Sequence, residues 1–226
     1  MRYGTGLGLA TTAVVVMATV GVQVQSSGAP AQTCFGRAAT VVGTTGNDVL
    51  TGTRGPDVIV GLAGNDTIRG RGGKDVICGD DGADTLVGGN GADLIAGSRG
   101  ADRLLGKRGT DTLRGGGDND VLIGGRKQDK MSGGSGLDTL KGGRQADRIA
   151  GGPDNDTLKG GRGGDRLFGS LGDDTLFAGT GADHLSGGEG DDALNALDGA
   201  DDDTLRGGAG VDVCTADPGD VVHGCP

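Results

Sequence analysis

Large apolar residues recur every nine positions along most of the chain, and the residues between them are mainly glycine, aspartate and asparagine. Read from Gly43, the sequence divides into nonapeptides such as GTTGNDVLT and GLAGNDTIR, which run unbroken to residue 195. An eleven-residue unit (196–206) and a last nonapeptide (207–215) bring the total to 19 units. Position 8 is Leu, Ile or Met in 18 units and Cys214 in the last. A single apolar position flanked by outward-facing neighbours predicts a very short β-strand.

The first six residues of each unit have the composition of a turn, because Gly, Asp and Asn tolerate the backbone conformations that turns need. Each unit is therefore predicted to be a turn followed by a strand over positions 7 to 9. One strand cannot bury its apolar side alone, so two units should form a coil of 18 residues with two strands facing each other. Stacked coils would form parallel sheets, and about nine coils at ~4.8 Å spacing would make a rod roughly 45 Å long.

Position 6 is aspartate in all 19 units, which turn preference alone would not require. Units i and i+2 lie on the same edge of the stack, so these aspartates form columns in which carboxylates ~5 Å apart repel by roughly 0.8 kcal/mol in water. Ca²⁺ would neutralise the columns, because it binds carboxylate and backbone carbonyl oxygens. The candidate metal ligands are Asp48, Asp57, Asp66, Asp75, Asp84, Asp93, Asp102, Asp111, Asp120, Asp138, Asp156, Asp165, Asp174, Asp183, Asp192, Asp203 and Asp212, with Asp129 and Asp147 expected to bind more weakly.

Composition shows that position 8 alone is too small a core for a chain of this length. The 226 residues include 53 Gly, three Phe, one Tyr and no Trp. Metal binding can supply folding free energy that such a core lacks, because the unfolded chain has no preformed site. The sequence therefore predicts that calcium is both the ligand and the trigger of folding.

The units GGNGADLIA (88–96) and GGSGLDTLK (133–141) match every fixed position of the pattern GGxGxDxUx, where U is a large apolar residue. The repeats resemble the RTX, or hemolysin-type, calcium-binding nonapeptide. The resemblance covers 43–215 and implies an all-β, right-handed parallel β-roll that is disordered without calcium. It also implies that several Ca²⁺ ions are shared between units i and i+2, for example by Asp48 with Asp66. The chain is most similar to short, stand-alone secreted members.

The two ends of the chain are predicted to be separate segments. Residues 1–31 are predicted to be a secretory signal peptide, because an apolar run is followed by the small-x-small sequence Ala29-Pro30-Ala31. A membrane anchor is the alternative, but no basic stop-transfer cluster follows the run. Residues 32–42 are then a lead-in, and 216–226 are a C-terminal tail.

Four cysteines lie in the mature chain, and an even number in an exported protein predicts disulfides. Cys34–Cys78 and Cys214–Cys225 is the local pairing, although the sequence alone allows three connectivities. The predicted location is therefore extracellular.

The middle of the chain is basic although the net charge of the whole is −10. Residues 97–168 contain 14 Lys or Arg against 10 Asp, and Lys127 and Gln145 replace glycine at position 4. These two turns are the reason for expecting weaker calcium binding at Asp129 and Asp147. Four arginines recur at intervals of 18 as a basic strip: Arg108, Arg126, Arg144 and Arg162.

The basic strip has two interpretations. It binds an anionic cell-wall or matrix polymer, or its cations replace lost calcium by pairing with the aspartate columns. Nucleic acid is disfavoured, because the strip has no aromatic residues for base stacking.

The sequence contains no recognisable catalytic pair. The only histidines are His184 and His223, and neither has an evident nucleophile partner. We therefore expect no enzyme activity, no small-molecule substrate and no membrane span after signal cleavage. The favoured function is a secreted, calcium-folded structural or interaction module at the cell surface or matrix. The alternatives are a folding or export module for a separate enzyme or toxin, and a polyanion-binding scaffold that uses the strip.

Overall fold

The computed structural model describes residues 32–199 and 202–225. The regular secondary-structure elements within these ranges are all β-strands. They are numbered β1 to β23 in chain order. The predicted signal peptide at 1–31 lies outside the described residues. Within the described ranges, no helix is long and apolar enough to cross a membrane.

From the third strand onwards, consecutive strands alternate between two parallel sheets, which we call sheet A and sheet B, while the first two strands form a separate antiparallel pair. Sheet A consists of β4 Val49–Thr51, β6 Thr67–Gly72, β8 Thr85–Asn90, β10 Arg103–Arg108, β12 Val121–Arg126, β14 Thr139–Arg144, β16 Thr157–Arg162, β18 Thr175–Thr180, β20 Ala193–Asn195 and β22 Val213–Thr215. Sheet B consists of β3 Val41–Val42, β5 Val58–Ala63, β7 Val76–Asp81, β9 Leu94–Arg99, β11 Thr112–Gly117, β13 Lys130–Ser135, β15 Arg148–Gly152, β17 Arg166–Leu171, β19 His184–Glu189, β21 Thr204–Ala209 and β23 Val221–His223.

The register of the sheets confirms the coil of 18 residues. Leu104 pairs with Leu122 in sheet A, and Leu113 pairs with Met131 in sheet B, each one coil further along the chain. The fold is therefore an all-β solenoid of about ten stacked coils and fits a parallel β-roll.

Most strands are six residues long, so the prediction of three-residue strands was wrong. They continue beyond positions 7 to 9 through positions 1 to 3 of the next unit, as in β12. The ladder pairs Leu105 with Ile123, skips the position-1 glycine, and resumes where Lys107 pairs with Gly125. Identical coils in parallel register let the backbone of positions 2 and 3 hydrogen-bond to the next coil, so residues with turn composition also extend the sheet.

The position-8 side chains form the core, as predicted. From Leu50 to Leu205 they are 0–2 % exposed, and they belong to one hydrophobic cluster between the two sheets. Burial of each such side chain contributes about 1.5–3 kcal/mol. Cys214, the exception at this position, is only partly buried.

Segments outside the nonapeptide frame complete both ends of the roll. At the N-terminal end, the hairpin of β1 Thr33–Cys34 and β2 Arg37–Ala38 is joined to β7 by the disulfide between Cys34 and Cys78. Cys34 and Cys78 also form a second small cluster with Val60 and Val76. At the other end β23 adds to sheet B, and Cys225 is bonded to Cys214. Disulfides of this kind are typical of oxidising compartments.

Candidate metal centre

The position-6 aspartates line the two edges where the chain passes from one sheet to the other. We call the turns that precede the sheet A strands the first edge, and those that precede the sheet B strands the second edge. All 19 aspartates are buried, with exposures of 0–7 %. The first edge holds Asp48, Asp66, Asp84, Asp102, Asp120, Asp138, Asp156, Asp174, Asp192 and Asp212, and the second edge holds Asp57, Asp75, Asp93, Asp111, Asp129, Asp147, Asp165, Asp183 and Asp203.

From Asp66 and Asp75 onwards, one oxygen of each carboxylate takes part in a regular hydrogen-bond ladder along its edge. The backbone N–H of Asp111 donates to Oδ1 of Asp129 at 2.7 Å, and that of Asp129 donates to Oδ1 of Asp147 at 2.8 Å. The same bond links successive aspartates on the first edge, for example Asp102 to Asp120. The ladder fixes the orientation of these 17 carboxylates, so the second oxygen points in the same direction from coil to coil.

The second carboxylate oxygen has no hydrogen-bond partner among the described residues in 17 of the 19 aspartates, which are all except Asp48 and Asp57. A buried acceptor without a partner costs about 1–3 kcal/mol, and more when it is charged. So many unpartnered carboxylate oxygens in two straight columns require either protons or cations to compensate them.

Twelve of these oxygens share the space at the position-1 glycine of their own unit with a backbone carbonyl oxygen. A Cβ added to Gly106 would meet both Oδ2 of Asp111 and the carbonyl oxygen of Gly124, and a Cβ on Gly142 would meet Asp147 and Gly160 in the same way. Glycine keeps this space open in these two units.

The environment suits a hard cation, because its donors are carboxylate and carbonyl oxygens. The described residues contain no group of three His, Cys, Asp or Glu side chains that could hold a metal. Backbone carbonyls would therefore have to complete any coordination shell, and those of position-1 glycines, such as Gly124 and Gly160, border the space that the unpartnered oxygens enter.

The first coil differs from the rest. Oδ2 of Asp48 accepts hydrogen bonds from the backbone N–H of Thr44 at 2.6 Å and from its hydroxyl at 2.9 Å. Thr53 gives Asp57 the same two bonds, at 2.6 and 3.0 Å. Metal ligation by these two aspartates stays a prediction, and the threonine donors compete for it.

Asp220 extends the second edge and was missed by the nonapeptide frame. Its Oδ1 accepts the backbone N–H of Asp203 at 3.0 Å, and its Oδ2 accepts that of Asp217 at 2.8 Å. The strand after it pairs Val222 with Leu205. The signal in the sequence is the triplet Asp220-Val221-Val222, which repeats the order of positions 6 to 8 without the preceding turn pattern.

The position-4 residues that replace glycine adopt left-handed backbone conformations. Lys127 has φ 75° and Gln145 has φ 70°, and the aspartates at the other two such positions, Asp118 and Asp154, have φ 69° and 77°. Asp118 and Asp154 also accept hydrogen bonds from the N–H groups of Gly100 and Gly136. A longer side chain such as that of lysine or glutamine gains little stability at this position. Weaker calcium binding at Asp129 and Asp147 stays a prediction.

Burial raises the pKa of most column aspartates, and neighbouring carboxylates raise it further. The pKa is about 8 for Asp102 and Asp129, about 7 for Asp120 and Asp147, and about 6 for Asp75. The hydrogen bond from the preceding aspartate's N–H opposes this rise in each case. At neutral pH the metal-free roll would therefore have to bury carboxylates that are costly to ionise.

We expect the metal-free roll to become more stable as the pH falls from about 8 towards 4. Between the ordinary pKa of 3.8 and the raised values of about 6 to 8, the folded state binds more protons than the unfolded chain. Stability therefore decreases as the pH rises through this window and is greatest below it. Circular dichroism in chelator across this range measures the effect.

The calcium-saturated protein provides the control for this pH series. Protons compete with calcium for the carboxylates, so acid should destabilise the calcium-bound roll. A metal-free β signal that increases with pH would contradict the prediction.

Comparison with known families agrees with the geometry of the two columns. The model of the RTX calcium-binding nonapeptide repeat matches residues 42–77, 79–113, 97–131, 114–149, 132–167, 168–202 and 197–222. Among curated proteins, the chain has no significant match. The matches cover nearly all of the roll, including the short tail repeat around Asp220. The chain therefore belongs to the RTX calcium-binding nonapeptide repeat family.

Proposed function

We propose that this protein is a calcium-folded structural module. The observation that carries this proposal is the set of 17 buried carboxylate oxygens that have no hydrogen-bond partner in the described residues. Fifteen of these oxygens lie at a position-1 glycine, and at twelve of those glycines a backbone carbonyl oxygen borders the same space. Bound calcium supplies the positive charge that allows these carboxylates to remain ionised when the roll forms.

The proposed ligands are the 17 aspartates with unpartnered oxygens, and they are not equivalent. At position 1 of the unit that contains Asp183, Ala178 replaces glycine and is fully buried. A methyl group at this position occupies the space that glycine leaves open elsewhere. We expect calcium to bind more weakly at Asp183, as at Asp129 and Asp147.

Titration of residues 32–226 with calcium, followed by circular dichroism, tests the proposal. At a pH of about 8, where the metal-free roll is least stable, we expect the β signal to appear cooperatively as calcium is added and to disappear in chelator. Magnesium is the matched control, because its strict octahedral geometry and strong hydration suit it poorly to a site made of carbonyls and fixed carboxylates. A β signal that does not depend on calcium, or none at saturating calcium, would overturn the proposal.

The cellular role that fits best is a secreted structural or interaction module at the cell surface or matrix. Two disulfides and membership of a family whose members are typically exported support secretion. The family's β-roll is typically structural rather than catalytic. Fractionation of the producing cells, with reduced and non-reduced samples compared on gels, tests the location and the disulfides together.

A further inference from the structure

The second edge carries basic residues before its aspartate column in four consecutive coils and also after it in three of them. The turns read KRGTDT (107–112), GRKQDK (125–130), GRQADR (143–148) and GRGGDR (161–166). Arginine stands at position 3 in all four, and lysine or arginine follows the aspartate at position 7 in three. The same coils on the first edge read GGDNDV (116–121), GSGLDT (134–139) and GPDNDT (152–157), with no basic residue.

The fold aligns these cations into two parallel rows. Arg108, Arg126, Arg144 and Arg162 are register partners on adjacent strands of sheet A. Lys130, Arg148 and Arg166 are register partners on adjacent strands of sheet B. Successive members of a row are therefore one strand spacing, ~4.8 Å, apart. All seven side chains belong to exposed residues.

The rows do not neutralise the aspartate columns. In the described part of the chain the single ion pair joins Arg99 to Asp81, at 3.1 Å, and neither residue belongs to the second edge. The column carboxylates are buried, with Oδ1 held by backbone N–H groups. Among the seven cations, Arg148 stacks on the ring of Phe168 at 4.6 Å. The interpretation that these cations pair with the columns is therefore wrong for this structure.

A groove of about 470 Å³ runs along this edge beside the sheet B row. Residues at positions 5 to 7 of consecutive turns line it, including Gln128, Lys130, Arg148 and Arg166. A cation stands at position 7 in three of the four coils and Thr112 in the first, and the lining also includes Asp111, Asp129 and Asp147 of the buried column. Such a surface suits a linear ligand with a regularly repeated anion.

We propose that the second edge, from residue 107 to 166, binds a linear anionic glycopolymer along the axis of the roll. Arginine recognises the oxyanion of a phosphodiester or a carboxylate with paired hydrogen bonds. A row of cations on a straight edge also gains affinity by releasing the counter-ions of a polyanion. The four turns contain no aromatic residue on which a base could stack, which favours a glycopolymer over a nucleic acid. The proposal rests on the calcium-folded roll, because only the stacked coils align the rows.

The test compares the calcium-folded chain with a variant in which Arg126, Arg144, Lys130 and Arg148 are all replaced by glutamine. The matched control replaces Arg37, Arg69, Arg103 and Arg206 by glutamine, which removes the same charge from exposed positions away from the second edge. Poly(glycerol phosphate) and hyaluronate serve as the phosphate and carboxylate probes, with dextran as the uncharged polymer and an oligo(dT) strand as the nucleic acid. Binding is measured by calorimetry at several salt concentrations, and circular dichroism is recorded on every sample.

We expect at least one anionic glycopolymer to bind, with dextran inactive, and the second-edge variant to bind about tenfold more weakly or worse. The control variant should stay within about twofold, and the salt dependence should be shallower in the second-edge variant. Folded protein that binds neither probe, an equal loss in both variants, or tighter binding of oligo(dT) would overturn this proposal and leave the calcium proposal intact. A chain that does not fold at any calcium concentration would overturn both. If the second-edge variant alone fails to fold, the pair Arg126→Lys and Arg144→Lys replaces it, and unchanged binding would count against the arginine row.

Discussion

Replacement of Asp111, Asp129 and Asp147 together by asparagine is expected to reduce the number of bound calcium ions and to stabilise the metal-free roll. Asparagine keeps the Oδ1 acceptor that receives the backbone N–H of the preceding coil. Its amide nitrogen takes the place of an oxygen that has no partner, next to the carbonyl of a position-1 glycine. Removing a buried charged acceptor should recover roughly 1–3 kcal/mol per residue in the absence of metal.

Calcium titration by calorimetry and circular dichroism in chelator measure the two effects separately. The matched control replaces the same three aspartates by alanine, which removes the charge but also leaves the N–H groups of the preceding aspartates without their acceptors. We expect that control to have less β structure than the asparagine variant both with and without calcium. An asparagine variant that binds as much calcium as the wild type would show that these carboxylates are not ligands.

Replacement of Gly91 by alanine is expected to destabilise the calcium-bound roll by roughly 2–5 kcal/mol, from backbone strain and overpacking together. Gly91 occupies position 4 of a second-edge turn with φ 143°, and a Cβ there would collide with the carbonyl oxygen of Gly73 one coil earlier. The obstacle is backbone rather than a flexible side chain, so the coil stacking itself would have to shift. Denaturant unfolding at saturating calcium measures the loss.

Lys127 provides the matched control, because it occupies the same position two coils further along the same edge. Its φ of 75° is a left-handed conformation that residues with a Cβ can adopt. Lys127→Ala should change the stability by no more than about 0.5 kcal/mol. Equal stabilities for the alanine variants at Gly91 and Lys127 would contradict the distinction between the two turn conformations.

The repeat frame alone predicts the features that recur in every unit. The spacing of nine identified the core residues, from Leu50 to Leu205, and the aspartates that the structure buries at the edges. Strand length could not be read in the same way, because the hydrogen bonds of positions 2 and 3 depend on the neighbouring coil. Judged from one unit alone, the glycines at these positions indicate a turn, and only the neighbouring coil makes them part of a strand.

Features that occur once, or that join distant units, were harder to predict. Asp220 follows Asp203 by 17 residues rather than 18, so it fell outside the frame. The row of Lys130, Arg148 and Arg166 became visible only when the register placed it across the turns from the arginines of sheet A. Thr44 and Thr53 looked like ordinary turn residues, because nothing in the pattern shows that their hydroxyls reach the carboxylates of Asp48 and Asp57.

The first coil is held together without metal, so the roll is a linear stack of coils in which one end is already ordered. The carboxylates of this coil are held by threonine, and the Cys34–Cys78 disulfide ties the hairpin to a strand of the next coil along sheet B. In a stack where each unit contacts only its neighbours, starting a new ordered region is slow and adding a coil to an existing one is easier. The N-terminal coil would thus act as a template, so that ordering spreads along the axis as a front, from the hairpin towards the tail.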